Sequence, residues 1–132
     1  MPYNKDVMQK KVLIIEDDDF LRGLIAKKLE KADYAVAVAV EGEEALPVTQ
    51  KEKPDLVILD LMLPKKDGFE VLKELKADPG TALIPVIILT NLGQEKDFEQ
   101  GKMLGAQDYF IKAQVNLDEI VNKVYQLCPA TT

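Results

Sequence analysis

With 132 residues, 47% of them hydrophobic, the chain is long enough for one domain with a single core that needs no disulfide or structural metal. The net charge is −6 and no segment is apolar enough to span a membrane, which predicts a cytoplasmic protein without direct nucleic-acid or membrane binding. The chain contains one cysteine, Cys128, and no histidine, which excludes an internal disulfide, a histidine phospho-acceptor and a histidine-based metal site.

The first predicted strand is residues 12–15, VLII, an uninterrupted apolar run typical of a strand buried on both faces. It ends in acid, at Glu16 and Asp17. The apolar residues that follow recur at helical spacing, which predicts a first helix that begins within the acidic run and ends before Tyr34. Residues 1–9 are expected to form a flexible lead.

A second strand and a second helix follow. Residues 34–40 carry β-branched side chains at alternate positions, which predicts a strand of about five residues. Residues 42–51 have helical composition, but Pro47 lies inside them and removes one backbone hydrogen bond at a cost of about 3 kcal/mol. We expect this helix to be kinked, short or mobile.

The central strand is predicted at residues 56–59, LVIL, and it also ends in acid, at Asp60. Asp67, with Glu70 three residues later, matches a capping box and predicts the start of a third helix. Asp60 therefore lies at the carboxyl end of a buried strand, beside a loop. In open α/β sheets this edge is where ligands bind.

The next apolar run, residues 86–89, predicts a fourth strand that ends at Thr90. Residues 94–104 predict a weaker helix, with Phe98 and Met103 facing the core.

The last strand is predicted at residues 108–111 and ends at Lys112. Asn116 and Glu119 form a second capping-box pattern, which opens the fifth helix. Residues 129–132 are expected to be a flexible end.

Five strands thus alternate with five helices, which predicts an α/β fold with a doubly wound five-stranded parallel sheet of flavodoxin-like order 2-1-3-4-5. The whole chain, residues 1–132, is expected to be one domain with its core at about residues 11–127. Because parallel strands end at a common edge, the polar residues that follow them should meet. These residues are Glu16, Asp17, Asp60, Thr90 and Lys112.

Three carboxylates in one crevice repel each other unless a cation is present. Oxygen ligands without histidine or cysteine suit a hard ion, so the pattern predicts a Mg²⁺ site, with Mn²⁺ as the alternative ion. A carboxylate nucleophile, a hydroxyl and an ammonium group are also the parts needed to place a phosphoryl group on Asp60. Taken singly, each residue has a more ordinary explanation as a helix cap or a surface group, so the prediction depends on their joint occurrence.

Four segments resemble the receiver domains of two-component response regulators. They are VLIIEDD, DLVILDLMLPKKDG, PVIILTN and GAQDYFIK, at residues 12–18, 55–68, 85–91 and 105–112. Their order and spacing extend the resemblance over nearly the whole chain. The chain ends just after the fifth predicted helix, so we expect a stand-alone receiver domain of the chemotaxis-regulator type, without an output domain.

The resemblance implies that Asp60 is the phospho-acceptor and that the transfer of phosphate to it and its later hydrolysis are the only reactions the protein performs. It also implies that Asp17 and Asp60 bind Mg²⁺ together with the backbone carbonyl of Met62, and that Glu16 contributes through water. The phosphate donor would be a sensor histidine kinase or a histidine phosphotransfer protein.

The resemblance further implies that Thr90 and Lys112 contact the phosphoryl oxygens. Tyr109 matches the aromatic switch position, whose ring turns inward as Thr90 is drawn to the phosphate; its ordinary alternative is a half-exposed strand tyrosine. An unidentified downstream protein would bind the surface formed by the fourth helix, the last strand and the fifth helix.

One position departs from the family pattern, which has a proline in a cis peptide bond after the lysine. Here Ala113 follows Lys112, and a cis bond before a non-proline residue costs about 2.5 to 4 kcal/mol, so either that bond persists or the loop is rebuilt.

Two other functions stay open. One is a receiver-like docking module that is never phosphorylated. The other is a small phosphohydrolase with an aspartyl nucleophile, although such enzymes carry a second acid where this chain has Met62.

Overall fold

The structure is a computed structural model that describes residues 9–131. Flexible ends were expected at residues 1–9 and 129–132. Of these, residues 1–8 and 132 lie outside the described residues. The strands are β1 Lys11–Ile15, β2 Ala35–Ala39, β3 Leu56–Leu59, β4 Val86–Thr90 and β5 Asp108–Ile111. The helices are α1 Asp19–Lys31, α2 Gly42–Glu52, α3 Gly68–Ala77, α4 Glu95–Met103 and α5 Leu117–Leu127.

All five strands are parallel and form one sheet in the order β2-β1-β3-β4-β5, which confirms the predicted doubly wound topology. The central strands β1, β3 and β4 are covered on both faces, which explains their uninterrupted apolar sequences. Ile15 pairs with Leu59, and Leu59 pairs with Ile88. The three strands therefore end almost level, and the residues after them share one edge of the sheet.

Alternate residues of each central strand enter two separate cores, because successive side chains of a strand point to opposite faces. One core lies between the sheet and the pair α1 and α5, where Ile14 and Ile58 pack with Ile25 and Val124. The other lies under α2, α3 and α4. Burial on both faces fixes the position of each strand along its own direction. It therefore also fixes the position of the polar residues at the carboxyl edge of the sheet.

The helix starts follow the predicted caps. Asp18 accepts a hydrogen bond from the N–H of Leu21 and opens α1. Asp67 accepts one from Glu70 and opens α3. Asn116 and Glu119 bond reciprocally at the start of α5, as the capping-box pattern predicted.

α2 runs through eleven residues with Pro47 inside, so it is not short, while a kink or mobility of this helix stays a prediction. One expectation for α4 needs correction. Met103, the last residue of α4, is 87% exposed and does not face the core. Phe98 of the same helix reaches inward only at the edge, where its ring packs on Tyr109. Among residues 9–131, no helix combines the length and the apolar character needed to cross a membrane.

Candidate functional site

Asp60 is the first residue after β3 and is only 3% exposed. Its Oδ2 accepts a hydrogen bond from Nζ of Lys112 at 2.8 Å. Its Oδ1 accepts one from the backbone N–H of Met62 at 3.1 Å. Both oxygens of this nearly buried carboxylate are therefore held in fixed directions at the carboxyl edge of the sheet.

Glu16 and Asp17 follow β1 and lie beside Asp60, as predicted. Each of the three carboxylates offers one oxygen, and these oxygens all lie within 4.8 Å of one another. Glu16 is 2% exposed, and its Oε2 accepts from the N–H of Asp18 at 3.1 Å. Its Oε1 is 2.7 Å from Nζ of Lys112 but accepts no hydrogen bond from the described part of the chain. Three carboxylates with one ammonium partner form an all-oxygen, negatively charged cluster, and such a donor set fits a hard divalent cation.

The charges of this cluster act on one another. Burial raises the pKa of Glu16 and the negative charge of Asp60 adds to the effect, while Lys112 and the N–H of Asp18 oppose it. Burial also disfavours the charged form of Lys112, but its hydrogen bond to Asp60 and its ion pair with Glu16 outweigh burial, so the pKa of Lys112 is raised. Lys112 is therefore an ammonium group at neutral pH and balances part of the negative charge.

Arg22 of α1 supports the cluster and was missed from the sequence. One guanidinium nitrogen donates to the backbone carbonyl of Glu16 at 2.9 Å, and another pairs with Asp19. The Arg22 side chain is only 17% exposed. The spacing of three residues between Asp19 and Arg22 is a sequence signal for a helical ion pair, but the bond back to Glu16 has no such signal.

Thr90 and Tyr109 are linked through the backbone of Leu92. The N–H of Leu92 donates to Oγ1 of Thr90 at 3.4 Å, and the Leu92 carbonyl accepts from the hydroxyl of Tyr109 at 2.6 Å. Burial, together with the charge of Asp97, raises the pKa of Tyr109 to about 12, so this hydroxyl stays protonated and can donate at neutral pH. Thr90 and Tyr109, predicted as a functional pair, are thus joined by two consecutive hydrogen bonds.

Helix α4 packs closely against the ring of Tyr109. The ring of Phe98 lies 4.4 Å from that of Tyr109, centroid to centroid. A Cβ on Gly101 would come within 2.8 Å of Ile88 and 3.3 Å of the Tyr109 ring. The ring of Tyr109 therefore lies in a space that a glycine of α4 leaves open.

The peptide bond between Lys112 and Ala113 is trans, so the loop after Lys112 is rebuilt. Residues 9–131 contain no cis peptide bond, so the alternative of a cis bond before Ala113 is wrong. The N–H groups of Gln114 and Val115 both donate to the carbonyl of Ile111. Lys112 nevertheless reaches both carboxylates, so alanine in place of proline does not remove the lysine from the site.

A parallel sheet of this order, with acidic residues, a threonine and a lysine at its carboxyl edge, defines the class of response regulator receivers. The chain belongs to the response regulator receiver domain family, which matches residues 12–125. Curated relatives include the alkaline phosphatase synthesis transcriptional regulatory protein PhoP of Bacillus subtilis, 43% identical over 80% of this chain and 43% of its own length. Another is the DNA-binding dual master transcriptional regulator RpaA of Synechocystis, 43% identical over 92% of this chain and 50% of its own length. The chain thus spans about half the length of these relatives.

Solved structures agree. The BeF₃-activated N-terminal receiver domain of RstA from Klebsiella pneumoniae is 34% identical, with a TM-score of 0.80 over 90% of this chain and 99% of its own. The Mn²⁺-bound form of response regulator Rcp1 is 31% identical, with a TM-score of 0.78 over 89% of this chain and 92% of its own. The protein is therefore a phospho-accepting receiver domain of two-component signal transduction. Receiver domains bind Mg²⁺ through acidic residues and interact with histidine kinases or phosphotransfer proteins.

We expect Mg²⁺ to stabilise the folded protein, because a bound cation offsets the repulsion among Glu16, Asp17 and Asp60. An ion at a hundred times its dissociation constant adds about 2.7 kcal/mol to the free energy of unfolding, which raises Tm by several degrees in a domain of this size. Thermal unfolding with and without Mg²⁺ measures the effect. Asp17→Asn should lose most of it, and an Asp17→Asn protein that responds as the parent does would place the ion elsewhere.

Proposed function

We propose that Asp60 is the phospho-acceptor of this receiver domain and that a partner's phosphohistidine is the donor. The observation that carries the proposal is the pairing of a nearly buried carboxylate with Lys112 at 2.8 Å inside a cluster of three acids. Without a phosphate or a cation to bind, burying the carboxylates of Glu16 and Asp60 carries a desolvation cost that the single ammonium of Lys112 offsets only in part. The phosphohydrolase alternative is not favoured, because it requires an acid at Met62, and the docking-module alternative gives no reason for this arrangement.

The reaction is a displacement at phosphorus. A carboxylate oxygen of Asp60 forms the O–P bond while the N–P bond of the donor breaks, and the imidazole leaves with the bonding electrons. The N–H of Met62 and the ammonium of Lys112 fix the carboxylate from two directions, so little orientational freedom is lost in the transition state. Lys112 then pairs with the transferred phosphoryl oxygens as it now pairs with Asp60.

We infer that Glu16, Asp17 and Asp60, with the Met62 carbonyl, hold Mg²⁺, with Mn²⁺ as a substitute and Glu16 contributing through water. When bound, the ion offsets the negative charge of the carboxylates and of the phosphoryl oxygens. Arg22 holds the Glu16 backbone and so restrains the β1–α1 connection that carries two of these ligands. The all-oxygen donor set supports this assignment.

We propose that Thr90 reports the presence of the phosphoryl group. Its Oγ1 accepts from Leu92, so the hydroxyl hydrogen is available for a phosphoryl oxygen. Movement of Thr90 toward that oxygen would pull on Leu92 and, through the Leu92 carbonyl, on Tyr109. We propose that the signal leaves through the face of α4, β5 and α5 to a downstream protein. A cytoplasmic location fits the buried free thiol of Cys128.

The deciding experiment is intact-mass measurement after incubation with acetyl phosphate and Mg²⁺. We expect one phosphoryl adduct on the parent and none on Asp60→Asn. Asp118→Asn is the matched control, because Asp118 is a mainly exposed residue of α5 that pairs with Lys28; it should keep the adduct. An adduct that persists in Asp60→Asn would assign the acceptor to another residue, and a parent that gains none would favour the docking module.

Phosphorylation should change hydrogen exchange mainly between residues 90 and 112, because Thr90, Leu92 and Tyr109 form one hydrogen-bonded chain there. The measurement compares protection with and without beryllofluoride. Tyr109→Phe, which removes the bond to Leu92, should weaken the change in α4. Tyr125→Phe, at an exposed position of α5, should not. Changes confined to α1 and α2 would contradict this route.

A further inference from the structure

The acceptor loop, residues 61–67, is held by the first residues of two helices. α2 begins at Gly42 and α3 begins at Gly68. The N–H of Gly42 donates to the Pro64 carbonyl at 3.1 Å, and the N–H of Gly68 donates to the Leu61 carbonyl at 2.9 Å. Both donors belong to the N–H groups that a helix start leaves without a partner inside the helix. The loop therefore supplies acceptors that the two helices need.

The helices also touch the backbone at this edge directly. A Cβ on Gly42 would lie 2.0 Å from the carbonyl oxygen of Lys66. A Cβ on Gly68 would lie 2.4 Å from the carbonyl oxygen of Asp60. Because the obstructing atoms are backbone atoms, no rotation of a side chain can relieve the clash. Any other residue at Gly42 would displace α2 or the acceptor loop.

In the sequence, Met62 lies between the two carbonyls that the helices bind, those of Leu61 and Pro64. Its neighbours at Leu61 and Pro64 accept hydrogen bonds, whereas the Met62 carbonyl accepts none from residues 9–131. The Met62 N–H is bound to Asp60. The helices thus hold the loop by the carbonyls of Leu61 and Pro64, and the Met62 carbonyl is among those left free to bind a hard cation.

A side-chain contact holds the same loop from α3. Nζ of Lys66 lies 2.7 Å from one carboxylate oxygen of Glu74 and 2.9 Å from the other. Both side chains are about 30% exposed, so this ion pair is partly screened and weaker than the backbone contacts. It nevertheless restrains the residue that Gly42 touches.

We propose that Gly42 is a positioning residue for phosphorylation, so that α2, which contributes no side chain to the acidic cluster, sets the acceptor loop in the form that binds the ion and accepts phosphate. The inference rests on the proposed role of Asp60. Gly42 acts through Lys66 and Pro64 on the backbone of the loop. Its effect should therefore appear in ion affinity and in the ion dependence of phosphorylation.

The test compares Gly42→Ala with Gly23→Ala. Both replace a helical glycine by alanine, but a Cβ on Gly23 meets nothing within 4 Å. Mn²⁺ binding is followed by electron paramagnetic resonance at a temperature where circular dichroism shows each variant fully folded. Phosphorylation by acetyl phosphate is followed by intact mass over a range of Mg²⁺ concentrations. Gly42→Ala should bind Mn²⁺ about tenfold to a hundredfold more weakly and need correspondingly more Mg²⁺, as for other supports of metal ligands. Gly23→Ala should match the parent.

A purely structural role would lower Tm and leave the affinity of the folded protein unchanged, so a folded Gly42→Ala with parental Mn²⁺ affinity overturns the inference. If Gly42→Ala does not fold, Glu74→Gln releases the same loop without a clash. It should weaken Mn²⁺ binding about twofold, in proportion to a partly exposed ion pair, and parental affinity there overturns the inference instead. A parent that binds Mn²⁺ but gains no phosphate on Asp60 would refute the proposed function, while the Mn²⁺ comparison would still decide the role of Gly42.

Discussion

Replacing Lys112 by methionine should slow phosphorylation of Asp60 by about 10² to 10³-fold, the usual cost of removing one preorganised group that stabilises charge in a transition state. Nζ of Lys112 lies 2.7 Å from Glu16 and 2.8 Å from Asp60. No other lysine or arginine of residues 9–131 forms an ion pair with either carboxylate. The rate is measured by intact mass with acetyl phosphate at saturating Mg²⁺.

The same substitution should destabilise the metal-free protein. Two almost fully buried carboxylates lose the one ammonium partner that residues 9–131 give them, and breaking a buried ion pair from one side costs about 3 to 5 kcal/mol. Urea unfolding in the presence of a chelator measures this free energy. Adding Asp60→Asn to Lys112→Met should recover part of the loss, because it removes one of the unpaired charges.

Lys123→Met is the matched control for Lys112→Met. Lys123 pairs with Asp108 at 3.0 Å, but both side chains are about 30% exposed. An ion pair of that kind contributes about 1 kcal/mol or less, and it lies outside the acidic cluster. If Lys112→Met behaves like Lys123→Met in both measurements, Lys112 neither balances the buried charge nor assists the transfer.

The carboxyl edge of the sheet, which carries the acidic cluster and Lys112, could be predicted because it depends on strand patterns alone. Apolar runs end at Glu16, Asp60 and Thr90, and a parallel sheet places the ends of such runs together. The α/β periodicity, the right-handed crossovers and the family resemblance all led to the same strand order. Agreement among independent local signals is what makes a fold predictable.

Contacts that depend on how loops fold could not be predicted in the same way. Gly42 has the composition of an ordinary helix start, and nothing local shows that the Lys66 carbonyl lies against it. Arg22 shows its pairing with Asp19 by spacing, but not its bond to the Glu16 carbonyl. These contacts arise only after tertiary packing has brought distant backbone segments together.

The error at Met103 has a simpler cause. Helical spacing predicts which residues share a face as long as the helix continues. α4 ends at Met103, and the side chain of a last residue can lie beyond the part of the sheet that the helix covers. Phe98, a turn and a half earlier, still meets Tyr109. The periodic pattern was therefore informative inside the helix and not at its end.

The phosphorylated form should be long-lived for this family. Hydrolysis requires a water aligned with phosphorus opposite Asp60, and side chains two residues after the acceptor and two residues after Thr90 are placed to orient it. Here these positions are Met62, which is 56% exposed, and Leu92, which packs against the core under α2, α3 and α4. Neither side chain can hold a water by a hydrogen bond, so a regulator that retains its phosphate or passes it to a relay partner fits better than one that resets quickly.

Met62→Asn and Leu92→Glu should each accelerate the decay of phospho-Asp60 by about tenfold to a hundredfold, the usual range for restoring a positioned reactant. The hydrogen bonds at Leu92 use its N–H and its carbonyl, so replacing the side chain leaves the link from Thr90 to Tyr109 in place. Decay is followed by intact mass in Mg²⁺ after removal of acetyl phosphate. Met103→Asn and Leu83→Glu make the same chemical changes at exposed positions outside the acidic cluster and should decay like the parent. If Met62→Asn and Leu92→Glu decay no faster than these controls, the two side chains do not control access of the attacking water, and the lifetime of the phosphate is set elsewhere.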